Sequence, residues 1–385
     1  MAEIDRRMVL EAVADKIETL KDIGRRERVS LDAYREAYES ARERSPQAVM
    51  ESVDGTVGGC VPLEDEWEFD FGRSFDTRRD MRDWAGSVLK GEPISGVDGS
   101  QAPAGKVLSL PMALVRAVAF LNGHDGGYER LERYRVLTPE DASLESPDYY
   151  RLNNLEVNFT RFDLENEVAL ESLREGTSLV LIDNTFILSY LMTGGISEYF
   201  ELHLKSLLNL LARTEGKSMV AGVVDPSQSK EISDMLSDVY GIEKDRVNDS
   251  ALVHGYLGRF DRTCVYRSRR RVLRRYGSEL EGREVDYRNE IGFFYLKAHS
   301  YRPMRVEFPL WIWREGLVDK LADLIRASCV LGEGYPYELS KAHEHVTISM
   351  SDRERFYEIV QGVAEREGID YSISQKEIKK RRPVR

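Results

Sequence analysis

Two short apolar runs each reach an aspartate: Pro93-Ile94-Ser95-Gly96-Val97-Asp98-Gly99-Ser100 and Ser178-Leu179-Val180-Leu181-Ile182-Asp183-Asn184-Thr185. A buried strand that ends on a carboxylate fixes a hard oxygen donor on a rigid element, which suits a divalent cation. Two such aspartates, about 85 residues apart with helical sequence between them, predict one site assembled from neighbouring strands. The chemistry that such a site serves is phosphodiester hydrolysis. That reaction needs an activated water and stabilisation of the charge on the leaving oxygen, and two cations about 4 Å apart can do both.

Three or four carboxylates or imidazoles must converge to hold such cations. Between the aspartates, Arg161-Phe162-Asp163-Leu164-Glu165-Asn166-Glu167-Val168-Ala169-Leu170 reads as a helix whose Phe162, Ala169 and Leu173 face a sheet. Glu165 and Glu167 cannot both point the same way on it. Glu165, flanking the Phe162/Leu173 stripe, is the preferred inward carboxylate and Glu167 the alternative. His343 is the candidate imidazole; if its segment is helical, His345 faces elsewhere. His124, His203, His254 and His299 show no partner pattern. A plain structural reading stands beside each of these: Asp98-Gly99 is also a turn signal, and helix acids are commonly solvated surface charges.

The elements that must position these groups follow from the apolar pattern. Residues 1 to about 52 read as helix, with Met8, Val9, Ala12, Val13, Ile17 and Leu20 at helical spacing, a polar break at Gly24 to Arg28, and a second helix from Leu31 to about Arg44. This arm has the character of a partner-binding appendage. Residues 53–92 carry turn glycines and a brief strand-like alternation at Trp67, Phe69 and Phe71. From Ile94 the pattern is α/β. A strand leads to Asp98, strand signals follow at Val107 to Leu110, Ala113 to Phe120 and Arg133 to Leu137, and a helix spans about Leu155 to Arg174. A strand through Asp183, a helix near 198–213, a strand at 218–224 and a helix at 229–240 complete the alternation. Consecutive strands, then alternating helices and strands, match a ribonuclease-H-like mixed sheet flanked by helices, with an N-terminal helical arm and C-terminal α/β additions. In that order the first and fourth strands lie side by side, which brings Asp98 to Asp183. Strands at Gly292 to Ala298 and Met304 to Phe308 and a helix at Leu317 to Leu331 extend the chain. The expected division is 1–90 for the arm and irregular segment, 91–350 for the catalytic domain, and 351–385 for a C-terminal helix and basic tail.

Composition narrows the class. The 385 residues are 32% charged and 42% hydrophobic, which fits a folded soluble protein rather than a disordered one. Apolar stretches stop well short of a bilayer span and the first residues lack a signal-peptide core, so a cytoplasmic protein without membrane contact is expected. Cys60, Cys264 and Cys329 are widely spaced, which argues for buried thiols over a zinc ribbon or disulfides. A net charge of −12 opposes nucleic-acid binding overall, yet Arg267, Arg269, Arg270, Arg271, Arg274 and Arg275 cluster between Tyr266 and Tyr276, and the last ten residues are basic. Such clusters can track phosphates while aromatic rings stack on bases, or can be solvated faces. There is no Walker A, nucleophile elbow, H-E-x-x-H or dinucleotide fingerprint, so any energy for translocation must come from a partner.

The set Gly96-Val97-Asp98-Gly99-Ser100, Val180-Leu181-Ile182-Asp183, Tyr295-Leu296-Lys297, Arg305-Val306-Glu307-Phe308-Pro309 and Gly334-Tyr335-Pro336 followed by Ala342-His343 resembles the NurA nucleases of archaea and some bacteria. The resemblance runs from about residue 90 to 350. It implies a ribonuclease-H-like core, manganese dependence with magnesium as the alternative cation, and degradation of single- and double-stranded DNA as a 5′-3′ exonuclease and single-strand endonuclease. It also implies a homodimer with a central channel that works with a hexameric HerA translocase in DNA end resection and double-strand-break repair. Carried onto this chain, it makes Asp98, Glu165, Asp183 and His343 catalytic metal ligands. Lys297 and Arg305 become candidate phosphate contacts beside Arg269, Arg270, Arg271 and Arg274. The chain departs from the family pattern at Asn184-Thr185-Phe186, where Gly-Ser-Leu is common, and at Asp225, where a lysine is common; Lys230 or the arginine cluster would then supply that charge. The other readings are a catalytically silent DNA-binding adaptor of a motor ATPase, and a related nuclease acting on RNA.

Overall fold

The computed structural model describes residues 5–52, 58–102, 111–141, 152–174, 176–192, 197–245, 247–280, 282–299 and 301–369. The chain divides into two compact units. One consists of residues 1–71, 225–270 and 293–305, and the other of 72–224, 271–292 and 306–385. The segment at Val107 to Leu110 and the basic tail both lie outside the described residues.

The second unit contains Asp98, Glu165, Asp183 and His343. Its sheet has the spatial order Met219–Val224, Leu179–Ile182, Ile94–Ala102, Ala113–Asn122, Tyr128–Leu137. The first three strands are parallel, and the last three form an antiparallel meander. This is the ribonuclease-H-like order expected from the pattern. Leu179, Val180, Leu181 and Ile182 are all buried, as a strand covered on both faces requires. Two helices close one layer of the core: Asn154–Glu171, started by Asn153 accepting the Leu155 amide, and Ser197–Thr214. Their Val157, Leu164, Val168, Leu204, Leu207 and Leu211 belong to one apolar cluster with Val97, Val180 and Val220 of the sheet.

The helix Tyr337–Val346 lies directly against the central strand Ile94–Ala102. A Cβ placed on Gly96 would stand 2.2 Å from the Glu338 carbonyl carbon and 2.5 Å from the Leu339 nitrogen, so the two backbones meet only because glycine has no side chain.

Several elements differ from the pattern-based expectation. Ile17–Arg42 is one uninterrupted helix through Gly24. A single glycine costs only about 1 kcal/mol against alanine, its arginine-rich neighbours favour helix, and Tyr34, Ala37, Tyr38 and Ala41 are buried. The helix Arg78–Leu89, started by a reciprocal Thr77/Asp80 capping box, was not anticipated. The third strand of the meander begins at Tyr128 rather than Arg133. Its mostly exposed, charged residues carry no period-two signal, and the antiparallel register with Ala113–Asn122 defines it instead. Asp98 sits in mid-strand, since Ile94–Ala102 continues on its antiparallel side to Ala102 opposite Leu114, while parallel pairing stops at Val97 opposite Ile182.

In the first unit, Cys60–Pro62 pairs with Tyr266–Ser268 and Glu68–Phe69 with Arg262–Thr263, both antiparallel. Tyr34, Tyr38, Trp67, Met235, Tyr266 and Phe293 are part of its core. All three cysteines are buried, and none forms a disulfide among the described residues. No helix among the described residues is long and apolar enough to cross a membrane.

Candidate metal centre

Strand register sets the two aspartates side by side. Val97 and Ile182 are partners, so Asp98 and Asp183 each lie one residue further along parallel neighbours, and the Asp183 amide still donates to the Val97 carbonyl at 3.2 Å. His343 reaches them from the helix Tyr337–Val346, its Nδ1 2.8 Å from Asp98 Oδ2. One potential ligand atom from each of Asp98, Asp183 and His343 lies within 4.8 Å of the others. Asp98 is buried, 7% exposed, whereas the His343 side chain is 69% exposed and Asp183 also reaches solvent, so the cluster opens to solvent beyond Asp98.

Glu165 stands beside this trio and outside it. A Cβ on Gly99 would fall 2.2 Å from Glu165 Oε1; the glycine after Asp98 is what lets the carboxylate approach the strand. Arg161, one turn earlier on the same helix, donates from Nη1 to Glu165 Oε1 at 2.5 Å, and Asn184 donates to Oε2 at 3.3 Å. Glu167 points to the third strand of the meander, where both its oxygens accept from Arg135 at 2.6 Å. Of the two glutamates, Glu165 is the one that the fold brings to the aspartates.

The electrostatics are those of crowded anions. Burial pushes Glu165 up to about 7, against the pull of Arg161 and with a further push from Asp98. Asp183 is raised by burial and by the Asp98 charge, while Tyr335, His343 and Arg161 draw it down. Three carboxylates so close cannot all be charged at low cost unless a cation joins them. The donor set, carboxylate oxygens with one imidazole nitrogen, fits a hard or borderline divalent ion.

Four residues that the sequence reading did not assign also shape the centre. Tyr335 donates its hydroxyl to Asp183 Oδ1 at 3.0 Å. Asn184, a departure from the family pattern, braces Glu165. Buried Glu307 accepts from the Phe186 amide at 2.7 Å and from the Thr185 hydroxyl at 2.8 Å, pinning the loop that follows Asp183. Arg161 was legible only as the residue four before Glu165, the spacing of a helical ion pair.

The expected phosphate contacts need correction. Arg305 is 1% exposed; its Nη2 donates to Glu231 Oε1 at 2.7 Å and its guanidinium lies 3.5 Å over the Phe293 ring. The Lys297 ammonium donates to the carbonyls of His254 and Leu257 at 2.9 and 2.8 Å. Arg305 serves the interior of the first unit because its strand is buried along its whole length, while Lys297, half-buried just past the strand Ile291–Leu296, is committed to backbone carbonyls. Arg270 reaches Asp234 at 3.4 Å, and Arg269 is half-buried. Arg271 and Arg274 are exposed on a short turn anchored by Val272 and Leu273, and form no ion pair among the described residues. His345 turns away from the aspartates and stacks on Phe120.

The NurA domain family matches residues 92–348, two-thirds of the chain. Among solved structures, the NurA nuclease from Sulfolobus solfataricus is similar at a TM-score of 0.53 and 12% identity, over 94% of this chain and 98% of that one. That likeness is one of fold. The catalytic domain of human endonuclease V (TM-score 0.34, 15% identity, 78% of this chain and 92% of that one) and endonuclease V from Bacillus subtilis (0.34, 11%, 76% and 98%) also match, at a level that carries no argument. No curated protein matches by sequence.

Proposed function

The chain belongs to the NurA family, and from that premise we propose that it is a metal-dependent DNA nuclease. The observation that carries this reading is the convergence of Asp98, Asp183 and His343 within 4.8 Å at the edge of adjoining strands. In this reading those three side chains, with Glu165 beside them, hold divalent cations, manganese first and magnesium as the alternative. When bound, such cations neutralise the phosphate and lower the pKa of an attacking water.

The chain's own groups supply the rest. The Gly99 amide, donating to Asp98 Oδ1 at 2.7 Å, and His343 fix the Asp98 carboxylate from two sides. Tyr335 and the Asp183 amide hold the second aspartate, while Arg161 and Asn184 hold Glu165. Exposed Arg271 and Arg274 are the members of the arginine cluster best suited to guide a DNA strand, and Lys297 and Arg305 drop out of that role. Family membership further suggests 5′-3′ exonuclease and single-strand endonuclease action, homodimerisation, and work in DNA end resection beside a hexameric HerA-type ATPase. The absence of a nucleotide-binding motif from the sequence agrees with an external motor.

Asp98→Asn keeps the size of the side chain and removes one ligand charge. With manganese and labelled linear DNA, the variant should release no nucleotides while its thermal unfolding stays cooperative; full activity would sink the reading. A matched RNA substrate separates it from an RNA-cleaving relative, and DNA binding without cleavage by the unaltered protein would favour an adaptor.

A further inference from the structure

With Arg305 buried and Lys297 committed to the His254 and Leu257 carbonyls, the charge that meets a phosphate at the carboxylate cluster must come from another side chain. Arg161 already stands there. Its stem crosses the central strand at Gly99, where a Cβ would lie 2.9 Å from Arg161 Cγ, so the same missing side chain admits both Glu165 and Arg161. One of its nitrogens is taken by Glu165 Oε1. A guanidinium carries five N–H donors in a rigid planar fork, which leaves an edge free to bond elsewhere. The side chain as a whole reaches solvent: Arg161 is 30% exposed, against 2% for Glu165.

We propose that Arg161 is a catalytic residue that donates to a non-bridging oxygen of the scissile phosphate through the guanidinium edge that Glu165 leaves open. The inference rests on the nuclease reading. A phosphodiester approaching three carboxylates is repelled, and a fixed cation on their rim offsets that repulsion. Its effect grows in the transition state, where charge accumulates on the phosphoryl oxygens and a preorganised donor needs no reorientation. The fork geometry matters as well, because arginine can pair bidentately with phosphate oxygens and lysine cannot. Glu165 then has a second task, which is to hold the fork in plane.

The test uses the full-length protein with Arg161→Met and Arg161→Lys. Three quantities are measured: manganese affinity without DNA by calorimetry, binding of a fluorescent single-stranded oligonucleotide in calcium by anisotropy, and cleavage at saturating DNA and saturating manganese. Because Arg161 also braces Glu165, the methionine variant should lose manganese affinity by about 10-fold, which saturating manganese offsets in the cleavage assay, and should bind the oligonucleotide more weakly. It should cleave roughly 10²- to 10³-fold more slowly, the usual loss for one transition-state donor, with the lysine variant recovering only part of the rate. Cleavage by the methionine variant within about threefold of the parent would overturn the proposal, as would a loss matched by an equal fall in manganese affinity. If the parent cleaves no DNA with either cation, the nuclease reading fails by itself. Weakened oligonucleotide binding by the methionine variant would then still support a phosphate contact, and unchanged binding would overturn it.

Discussion

At the scale of single residues, the second aspartate is the one most dependent on its neighbours. Asp98 sits in mid-strand under an amide and an imidazole, whereas Asp183 stands just past the end of a four-residue strand, with Tyr335 donating to Oδ1 from a distant loop. Groups that orient metal ligands from behind typically cost about 10- to 100-fold in affinity or activity when removed. Tyr335→Phe should therefore weaken manganese binding by about that factor while leaving the unfolding midpoint nearly unchanged; unaltered calorimetric affinity would show that the strand alone orients Asp183. The aspartates were legible in the sequence because an apolar run ending in Asp is a rare local contradiction. Glu165 was legible only as one of two, and Arg135, which takes Glu167 away from the centre, lies on a strand whose start the pattern missed. Tyr335 and Asn184 left no trace, and Arg161 left only its i,i+4 spacing to Glu165. Their parts depend on how closely distant elements approach, as the Glu338 backbone does at Gly96 and the Arg161 and Glu165 side chains do at Gly99, and hydrophobic periodicity does not encode that.

At the scale of elements, the helix Tyr337–Val346 has to be held at one height along the central strand for His343 to meet Asp98. A buried polar knot at its first turn provides that hold. Glu338 accepts from Asn122 at 3.0 Å and from Ser328, and His124 Nε2 lies 3.0 Å from the same carboxylate. Burial alone would lower the His124 pKa, but the Glu338 hydrogen bond and charge outweigh it, and the net direction is upward from 6.5. The sign follows directly: a histidine that binds its proton more tightly when folded contributes stability that is fully present below 6.5 and is lost as pH rises through the folded value. Denaturant unfolding followed upward from pH 6.5 should show falling stability, by at most about 1.4 kcal/mol per pH unit from this one proton. His124→Asn tolerates the positive φ of 55° at this position and cannot carry the charge, so its profile should be flatter in that window. A profile parallel to that of the parent would place the titrating group elsewhere. The sheet order was readable because alternation and apolar runs are local. The knot was not, since His124 and Glu338 are separated by 214 residues and neither carries a spacing signal.

At the scale of the whole molecule, a net charge of −12 means that attraction to DNA or to a partner has to be local, and the N-terminal arm is the clearest local exception to a polar surface. Met8, Val9, Leu10, Val13, Ile17, Leu20 and Ile23 are all exposed along the helices Arg6–Ala14 and Ile17–Arg42. A stripe of this spacing is what an amphipathic helix offers to a groove on another protein. Burial begins only in the second half of the longer helix, where the Tyr34 hydroxyl lies 2.7 Å from Ser237 Oγ and Tyr38 packs on Trp67 and Tyr256. The two halves of one continuous helix therefore do different work, and a cut between them should separate association from stability. Removing residues 1–28 takes away the exposed stripe and leaves Tyr34 to Ala41 in their core. Such a protein should keep its unfolding midpoint and its cleavage of short DNA, yet lose co-elution with the hexameric ATPase expected as partner. Removing residues 1–50 strips several fully buried side chains, at roughly 3–5 kcal/mol for each large aromatic lost, and should give aggregated or unfolded protein instead. Retained co-elution by the shorter truncation would exclude the arm as the docking element and turn attention to the second unit.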